Sequence, residues 1–104
     1  MSEPERGEVW WGEIAAVGRR PFLVMTRNAA IPVLNSVLAA PVTRRVRGIP
    51  TELVLGPEDG MPVECAASFD NLRVVPKANL VERLCVLDSR LPEACRALRD
   101  AVDC

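Results

Sequence analysis

Short runs of hydrophobic residues, separated by turn-forming residues, follow one another along most of the chain. Residues 8–15 mix aromatic and β-branched side chains with charged ones, which predicts a first strand ending at the Gly18 turn. Because successive side chains of a strand point to opposite faces, one of Trp10 and Trp11 should lie in the core and the other near the surface. Further strands are predicted at residues 21–26, 36–40, 51–55, 62–68 and 72–75.

Turn-forming residues limit what can lie between these runs. Pro32 restricts residues 28–35 to one short helical turn, and Pro41 is expected to end the third strand. Residues 56–60 and 70–71 form further turn clusters. Five or six short strands at this spacing favour a small β-barrel, a mainly β fold, over a parallel α/β sheet.

The hydrophobic period changes near the C-terminus and predicts an amphipathic α-helix that packs on the barrel. Asp88 or Ser89 can cap this helix, and Pro92 and Glu93 suit its first turn. Its apolar stripe is expected to consist of Leu91, Cys95, Leu98 and Val102.

Length and composition indicate one globular domain spanning residues 1–104, with 49% hydrophobic and 26% charged residues. No apolar run approaches the roughly 20 residues that cross a bilayer, and the N-terminus is polar and acidic. We therefore expect a cytoplasmic protein without a membrane partner.

Charge is distributed unevenly behind a net value of −1. Six arginines and no acidic residue lie between Glu13 and Glu52, whereas the segments before and after this block carry net charges of −3 and −4. Clustered guanidinium groups pair bidentately with phosphate, so the block predicts an anionic partner, with RNA or DNA foremost.

The chain contains no histidine, which excludes Ser-His-Asp triads, paired-histidine ribonuclease chemistry and histidine metal ligands. Its four cysteines are 20, 10 and 9 residues apart, without a C-x-x-C pair, so we expect no metal, no cofactor and reduced thiols. Cys104 ends the sequence and can be exposed.

Arg20, Thr43 and Asp70 can together support cleavage of RNA, which carries its own nucleophile in the 2′-hydroxyl. An arginine can hold a phosphodiester and neutralise developing charge, a threonine can donate to a phosphate oxygen, and an aspartate can accept a proton. The products would be a 2′,3′-cyclic phosphate and a 5′-hydroxyl. Taken singly, each residue also has an ordinary structural explanation: a solvated strand-entry arginine, a threonine bonded to backbone, and an Asx turn.

Four motifs in order carry a family resemblance over nearly the full length. They are R-G-E-V-W-W from Arg6, R-P-F-L-V from Arg20, P-V-T ending at Thr43, and D-N-L-R from Asp70 to Arg73. With these motifs the chain resembles the MazF/PemK (Kid-like) toxins of bacterial toxin–antitoxin systems. One departure is the short connection before Arg20, where family members generally have a longer loop that lids the RNA site.

The resemblance implies a small SH3-like β-barrel of the CcdB/PemK toxin type, a symmetric homodimer, and metal-independent cleavage of single-stranded RNA, typically mRNA. It implies Arg20 and Thr43 as the catalytic pair, with Asp70 as the base of some members. A cognate antitoxin would bind through an extended acidic and apolar segment. Together with the positive block, the motifs predict substrate contacts from Arg19, Arg44, Arg45, Arg47, Asn71 and Arg73.

Two other functions remain open on the sequence. A gyrase-binding toxin of the CcdB kind shares the fold, but its hallmark is a Trp-Gly-Ile-type helix end, whereas this chain ends Ala-Val-Asp-Cys. A non-catalytic SH3-like module that binds RNA or a peptide is the third possibility.

Overall fold

A curled antiparallel sheet with one helix against it forms the protein in the computed structural model, which describes residues 3–103. The strand order is β4-β5-β3-β2-β1-β7, and β6 also pairs with β3. Short 3-10 turns join several of these elements. The strands are β1 (Glu8–Ile14), β2 (Gly18–Val24), β3 (Ser36–Thr43), β4 (Glu52–Leu55), β5 (Cys65–Ser68), β6 (Arg73–Pro76) and β7 (Leu80–Val86), and the helix is α1 (Leu91–Val102).

The prediction of a mainly β fold with a C-terminal helix is confirmed, but "barrel" describes it only loosely. Within the described residues, no pairing joins β4 to β7, so the sheet curls without closing. Strand β7 was not predicted from the sequence, because it is an edge strand whose exposed residues Glu82 and Arg83 interrupt the hydrophobic pattern. Edge strands tolerate such charges because one of their sides faces solvent.

The β1–β2 hairpin sets the position of the arginines. Its register pairs Trp10 with Phe22 and Gly12 with Arg20. Strand β2 begins at Gly18, three residues earlier than predicted, because the connection at residues 15–17 is short and Gly18 adopts a left-handed φ of 94°. Arg20 consequently lies within the paired strand.

Strand β3 is the centre of the sheet, since β2, β5 and β6 all pair with it. The predicted stop at Pro41 is wrong: β3 continues to Thr43, and Pro41 pairs with Phe22. A proline in a strand removes only its own N–H donor, so pairing can continue past it. The expectation that Thr43 lies where a strand passes into the charged loop is confirmed.

Two hydrophobic clusters cover the opposite faces of the sheet. Trp10 and Phe22 belong to one cluster, and Val9 and Leu23 belong to the other, which also contacts the helix. Trp10 is buried and Trp11 is half-buried, as the alternation predicted. Gly12 is required at its position because a Cβ there would lie 2.7 Å from the ring of the fully buried Phe22.

Helix α1 has the predicted position, and the predicted stripe is partly confirmed, since Cys95 and Leu98 pack against the core. Ala94 and Ala97 are its buried residues, whereas Val102 is 54% exposed. Small side chains let a helix approach a sheet closely, which places the bulkier residues at the margins of the contact. The predicted caps Asp88 and Ser89 are also wrong, because they belong to a preceding 3-10 turn and no side chain caps α1.

Arg90 fastens the start of this helix to the turn after β4. Its guanidinium donates to Asp59 at 2.8 Å, to Glu93 at 2.8 Å and to the Val54 carbonyl at 3.0 Å. The hydrogen bond to Glu93, followed by the pairing with Asp59, raises the pKa of Arg90 despite its partial burial. Asp59 also accepts a hydrogen bond from the Gly56 N–H, so its ion pair with Arg90 holds the turn that follows β4 against the start of the helix.

Two expectations from the sequence concern cysteines and membranes. Cys65, Cys85 and Cys95 are free thiols, while Cys104 lies outside the described residues. Over the described part of the chain, no helix is long and apolar enough to cross a membrane.

Candidate active site

Arg20 and Thr43 lie on neighbouring strands, although 23 positions separate them in the sequence. The β2–β3 pairing ends at Phe22 opposite Pro41, and Arg20 and Thr43 each lie two residues beyond that last pair, in the same direction. The strand pairing thus brings Arg20 and Thr43 near each other where β3 ends, and both line the same surface clefts.

Both residues line two adjoining clefts. The apolar cleft, about 350 Å³ in volume, is also bordered by Trp11, Met61 and Val63. The polar cleft, about 190 Å³, combines Arg20 and Thr43 with Arg45, Arg47, Asp70 and Asn71. Because Arg20 and Thr43 belong to both clefts, they form the boundary between them.

Arg20 and its neighbour Arg19 differ in how their charge is balanced. Arg19 donates to Glu82 at 2.9 Å and lies 3.9 Å from Glu13, and its guanidinium carbon lies over the Trp11 ring, 5.0 Å from the ring centroid. Arg20 is exposed, and within residues 3–103 no carboxylate pairs with it. The charge of Arg20 is therefore available to an anion.

The Thr43 hydroxyl has one role in the fold and retains a donor. Its Oγ1 accepts a hydrogen bond from the Arg45 N–H at 3.1 Å, which turns the chain out of β3. A hydroxyl carries one proton besides its two lone pairs, so Thr43 can accept from Arg45 and still donate to an oxygen in the clefts.

A basic loop, residues 44–48, follows Thr43 and is held by one carboxylate. Glu52 Oε1 accepts from the backbone N–H groups of Arg47 at 2.9 Å and Gly48 at 3.2 Å. Arg44 borders the apolar cleft, whereas Arg45 and Arg47 border the polar one. All three arginines are exposed, and within residues 3–103 none of them has an ion-pair partner.

Asp70 and Asn71 reach the polar cleft from a 3-10 turn after β5. Asp70 Oδ2 accepts from the Thr51 hydroxyl at 2.5 Å, and the Asn71 amide donates to the Ser68 hydroxyl at 2.8 Å. These bonds orient both side chains, while Asp70 Oδ1 has no hydrogen-bond donor among residues 3–103.

The structure does not bring every predicted residue to the clefts. Arg73 starts β6, opposite Ala39, and is exposed but lines neither cleft. Sequence reasoning missed Thr51 and Glu52, which hold Asp70 and the basic loop. Glu52 had one available signal, since it is the first acidic residue after the positive block.

Cys65 lines the apolar cleft but is a poor nucleophile. Burial raises the pKa of its thiol, and the nearby carboxylates of Asp59 and Glu64 raise it further. Burial likewise raises the pKa of Cys85 to about 11. Both thiols are therefore protonated at neutral pH, so they do not supply a reactive thiolate.

The described residues contain no group of three His, Cys, Asp or Glu side chains that could hold a metal ion. In the clefts, guanidinium, hydroxyl and amide groups can donate hydrogen bonds to an anion, and the Asp70 carboxylate can accept a proton.

Similarity to known proteins covers nearly the whole chain. A family model described as PemK-like, MazF-like toxin of type II toxin–antitoxin system matches residues 5–101. The chain is 48% identical over 103 residues to a probable endoribonuclease, MazF5, of Mycobacterium tuberculosis, covering 97% of this chain and 94% of that protein.

Two solved structures share the fold. The Mycobacterium tuberculosis toxin MazF-mt6 matches with a TM-score of 0.83 and 29% identity over 92% of this chain and 96% of that one. A mycobacterial endoribonuclease in complex with its cognate antitoxin matches with a TM-score of 0.85 and 28% identity over 96% and 95% of the two chains.

Proposed function

The chain belongs to the PemK-like, MazF-like toxins of type II toxin–antitoxin systems, and from this membership we propose that it is an endoribonuclease cutting single-stranded RNA where Arg20 and Thr43 meet. The observation that carries the proposal is the position of these two residues on the boundary between the clefts. A scissile phosphate over that boundary would have one flanking nucleotide in each cleft. A single toxin domain, residues 1–104, would carry this activity.

Charge stabilisation by Arg20 is the main catalytic contribution that we propose. When the 2′-oxygen attacks the adjacent phosphorus, negative charge grows on the non-bridging phosphate oxygens. A guanidinium without a carboxylate partner can bind those oxygens bidentately and strengthen its interaction as the charge develops. Arginine stays protonated throughout, since its pKa exceeds roughly 12.

The Thr43 hydroxyl would donate a hydrogen bond to a non-bridging oxygen from the other side of the phosphate. The Arg45 N–H bond fixes the rotation of the Thr43 side chain, so the donor is oriented before substrate binds. Donors oriented in advance need no reorganisation during the reaction, which is the source of their catalytic effect.

Asp70 is the proposed proton acceptor for the 2′-hydroxyl. Thr51 occupies Oδ2 and leaves Oδ1 for the substrate. The new bond joins the 2′-oxygen to phosphorus, and the bond between phosphorus and the 5′-oxygen breaks. The leaving 5′-oxygen takes a proton from solvent water, and Asp70 returns to solvent the proton that it accepted, so the products are a 2′,3′-cyclic phosphate and a 5′-hydroxyl. The substrate hydroxyl supplies the nucleophile, so no side chain needs to form a covalent intermediate.

Basic side chains extend the proposed RNA path to either side of the pair. Arg44 would contact phosphate beside the apolar cleft, and Arg45 and Arg47 beside the polar cleft, with Asn71 available to a base or ribose. Arg73 would lie outside this path.

We also propose the partners that this membership implies. The active form would be a homodimer acting in the cytoplasm on mRNA, and a cognate antitoxin would cover the basic surface with an acidic and apolar segment. Two observations support this: the positive block of residues 14–51, and a matching endoribonuclease solved in complex with its cognate antitoxin.

The purified protein should cleave a long single-stranded transcript in EDTA. Analysis of the fragment ends should find 2′,3′-cyclic phosphate and 5′-hydroxyl groups, because the substrate provides the nucleophile. Cleavage only after addition of a divalent metal, or 5′-phosphate ends, would contradict the mechanism. Gyrase inhibition or RNA binding without cleavage would instead favour one of the two other functions.

Replacing Arg44 and Arg45 together by alanine should weaken RNA binding and flatten its salt dependence. For single strands, the slope of log affinity against log salt falls by roughly 0.7 for each phosphate that the protein stops neutralising, because counterions are no longer released there. Binding titrations at several salt concentrations measure this slope. The matched control replaces Arg96 and Arg99, which lie on α1 outside both clefts. A slope equal to wild type in the first variant would remove Arg44 and Arg45 from the RNA path.

A further inference from the structure

Several side chains that line the apolar cleft have no role in the proposed chemistry at the phosphate. Its lining residues include Trp11 and Met61 and, besides the catalytic pair, two further arginines, Arg19 and Arg44, but no carboxylate. Its volume of about 350 Å³ lies near the lower end of the range for small-molecule sites, roughly 300–1,000 Å³. The cleft therefore suits one flat apolar group attached to an anion.

Arg19 and Trp11 form a cation–π pair at this cleft. In the hairpin register Arg19 lies opposite Glu13, two residues from Trp11, so both side chains project from one face. The guanidinium is 5.0 Å from the Trp11 ring centroid and is held by Glu82 at 2.9 Å, with Glu13 at 3.9 Å. With two carboxylates beside it, Arg19 has its charge balanced before RNA binds, unlike Arg20.

The pair is also accessible. The connection between β1 and β2 is only residues 15–17, and none of these residues lines the apolar cleft. Trp11 is half-buried and Arg19 is exposed, so solvent reaches both members of the cation–π pair at the cleft.

We propose that the Arg19–Trp11 pair is a stacking site for one unpaired nucleobase of the nucleotide next to the scissile phosphate. This inference rests on the proposed function and assigns a base subsite to the apolar cleft. Single-stranded RNA is recognised largely by bases that stack on aromatic rings and arginine planes. A phosphate held by Arg20 and Thr43 places the attached base in this cleft, because those two residues line it as well. Arg19 would then act on a base, and Arg20 on the phosphate.

The first test maps cut sites in a long transcript for wild type, Trp11→Leu and Trp11→Phe. Wild type should show a base preference at one position directly beside the cut. Trp11→Leu should lose that preference and cleave about 5- to 150-fold more slowly, which corresponds to the usual 1–3 kcal/mol for one base–aromatic stack. Trp11→Phe should retain the preference, because it keeps an aromatic face.

A control at the adjacent aromatic residue separates recognition from folding. Trp10 is buried on the opposite face, so Trp10→Phe should keep the wild-type base preference. Unchanged preference and rate in a folded Trp11→Leu variant would overturn the proposal. If wild type cleaves no RNA at all, the proposed function has failed, and the subsite is decided by the binding measurement described next.

Fluorescence in the Trp10→Phe background reports on Trp11 alone, since the sequence contains two tryptophans. The probe is a short single-stranded RNA with 2′-deoxyribose at the cut nucleotide, which removes the nucleophile. Quenching on binding, reduced in an Arg19→Gln variant, supports base stacking. Binding without any change in Trp11 fluorescence overturns the proposal. Quenching by an acidic peptide but not by the RNA also overturns it and assigns the cleft to a peptide.

Discussion

Replacing Arg20 by alanine is expected to reduce the rate of RNA cleavage by about 10²–10³-fold or more, with little change in stability. Removing one oriented donor to a developing oxyanion has an effect of this size. Arg20 is exposed and within residues 3–103 forms no ion pair, so the fold does not depend on its charge. The reduction should appear mainly in kcat, because the charge at phosphorus is greatest in the transition state.

Two further variants sharpen this result. Arg20→Lys keeps the charge but loses the bidentate geometry, and it should recover only part of the rate. Arg27→Ala removes an exposed arginine of the same positive block that lines neither cleft, and it should cleave like wild type. Single-turnover cleavage of a mapped RNA measures all three. Wild-type kcat in a folded Arg20→Ala protein would remove Arg20 from the reaction.

Thr43→Val is expected to lower kcat by about 10²-fold and Thr43→Ser to retain most of it. Valine keeps the branched shape that suits the end of β3 but has no hydroxyl to donate, whereas serine keeps the donor. The Arg45 N–H also loses its acceptor in the valine variant, so part of the effect can come from a displaced basic loop.

Thr26 offers a matched control for that second contribution. Its Oγ1 accepts from the Leu38 N–H at 2.7 Å, which is the same kind of bond to backbone, and it lines neither cleft. Thr26→Val should therefore lower stability by about 1 kcal/mol and leave kcat unchanged. If Thr43→Val and Thr26→Val have equal effects on kcat, measured with thermal unfolding in parallel, the Thr43 hydroxyl is structural only.

The sequence was sufficient for the fold class and for the order of the motifs. Alternating and turn-bounded runs located most strands, and the change of period located α1. The predicted end of β3 at Pro41 was wrong because β3 pairs with three strands, and this pairing outweighs the tendency of proline to end a strand. Strand β7 was not predicted for another reason, since its exposed charges interrupt the hydrophobic pattern.

The site was only partly predictable for a different reason. Residue type and motif indicated Arg20 and Thr43 as site residues. Their proximity depends on the β2–β3 register, which cannot be predicted from the local sequence pattern. The hydrogen bonds from Thr51 to Asp70 and from the basic loop to Glu52 connect different elements and follow from the fold alone. The distinction between paired Arg19 and unpaired Arg20 depends on Glu82, in the strand that was missed.

A structure of the protein bound to a single-stranded RNA with 2′-deoxyribose at the cut nucleotide would test the central claim most directly. We expect one phosphate to lie within about 3 Å of both the Arg20 guanidinium and the Thr43 hydroxyl, the usual range for hydrogen bonds to an anion. A cut-site phosphate bound elsewhere, with neither side chain in contact with it, would contradict the proposed active site.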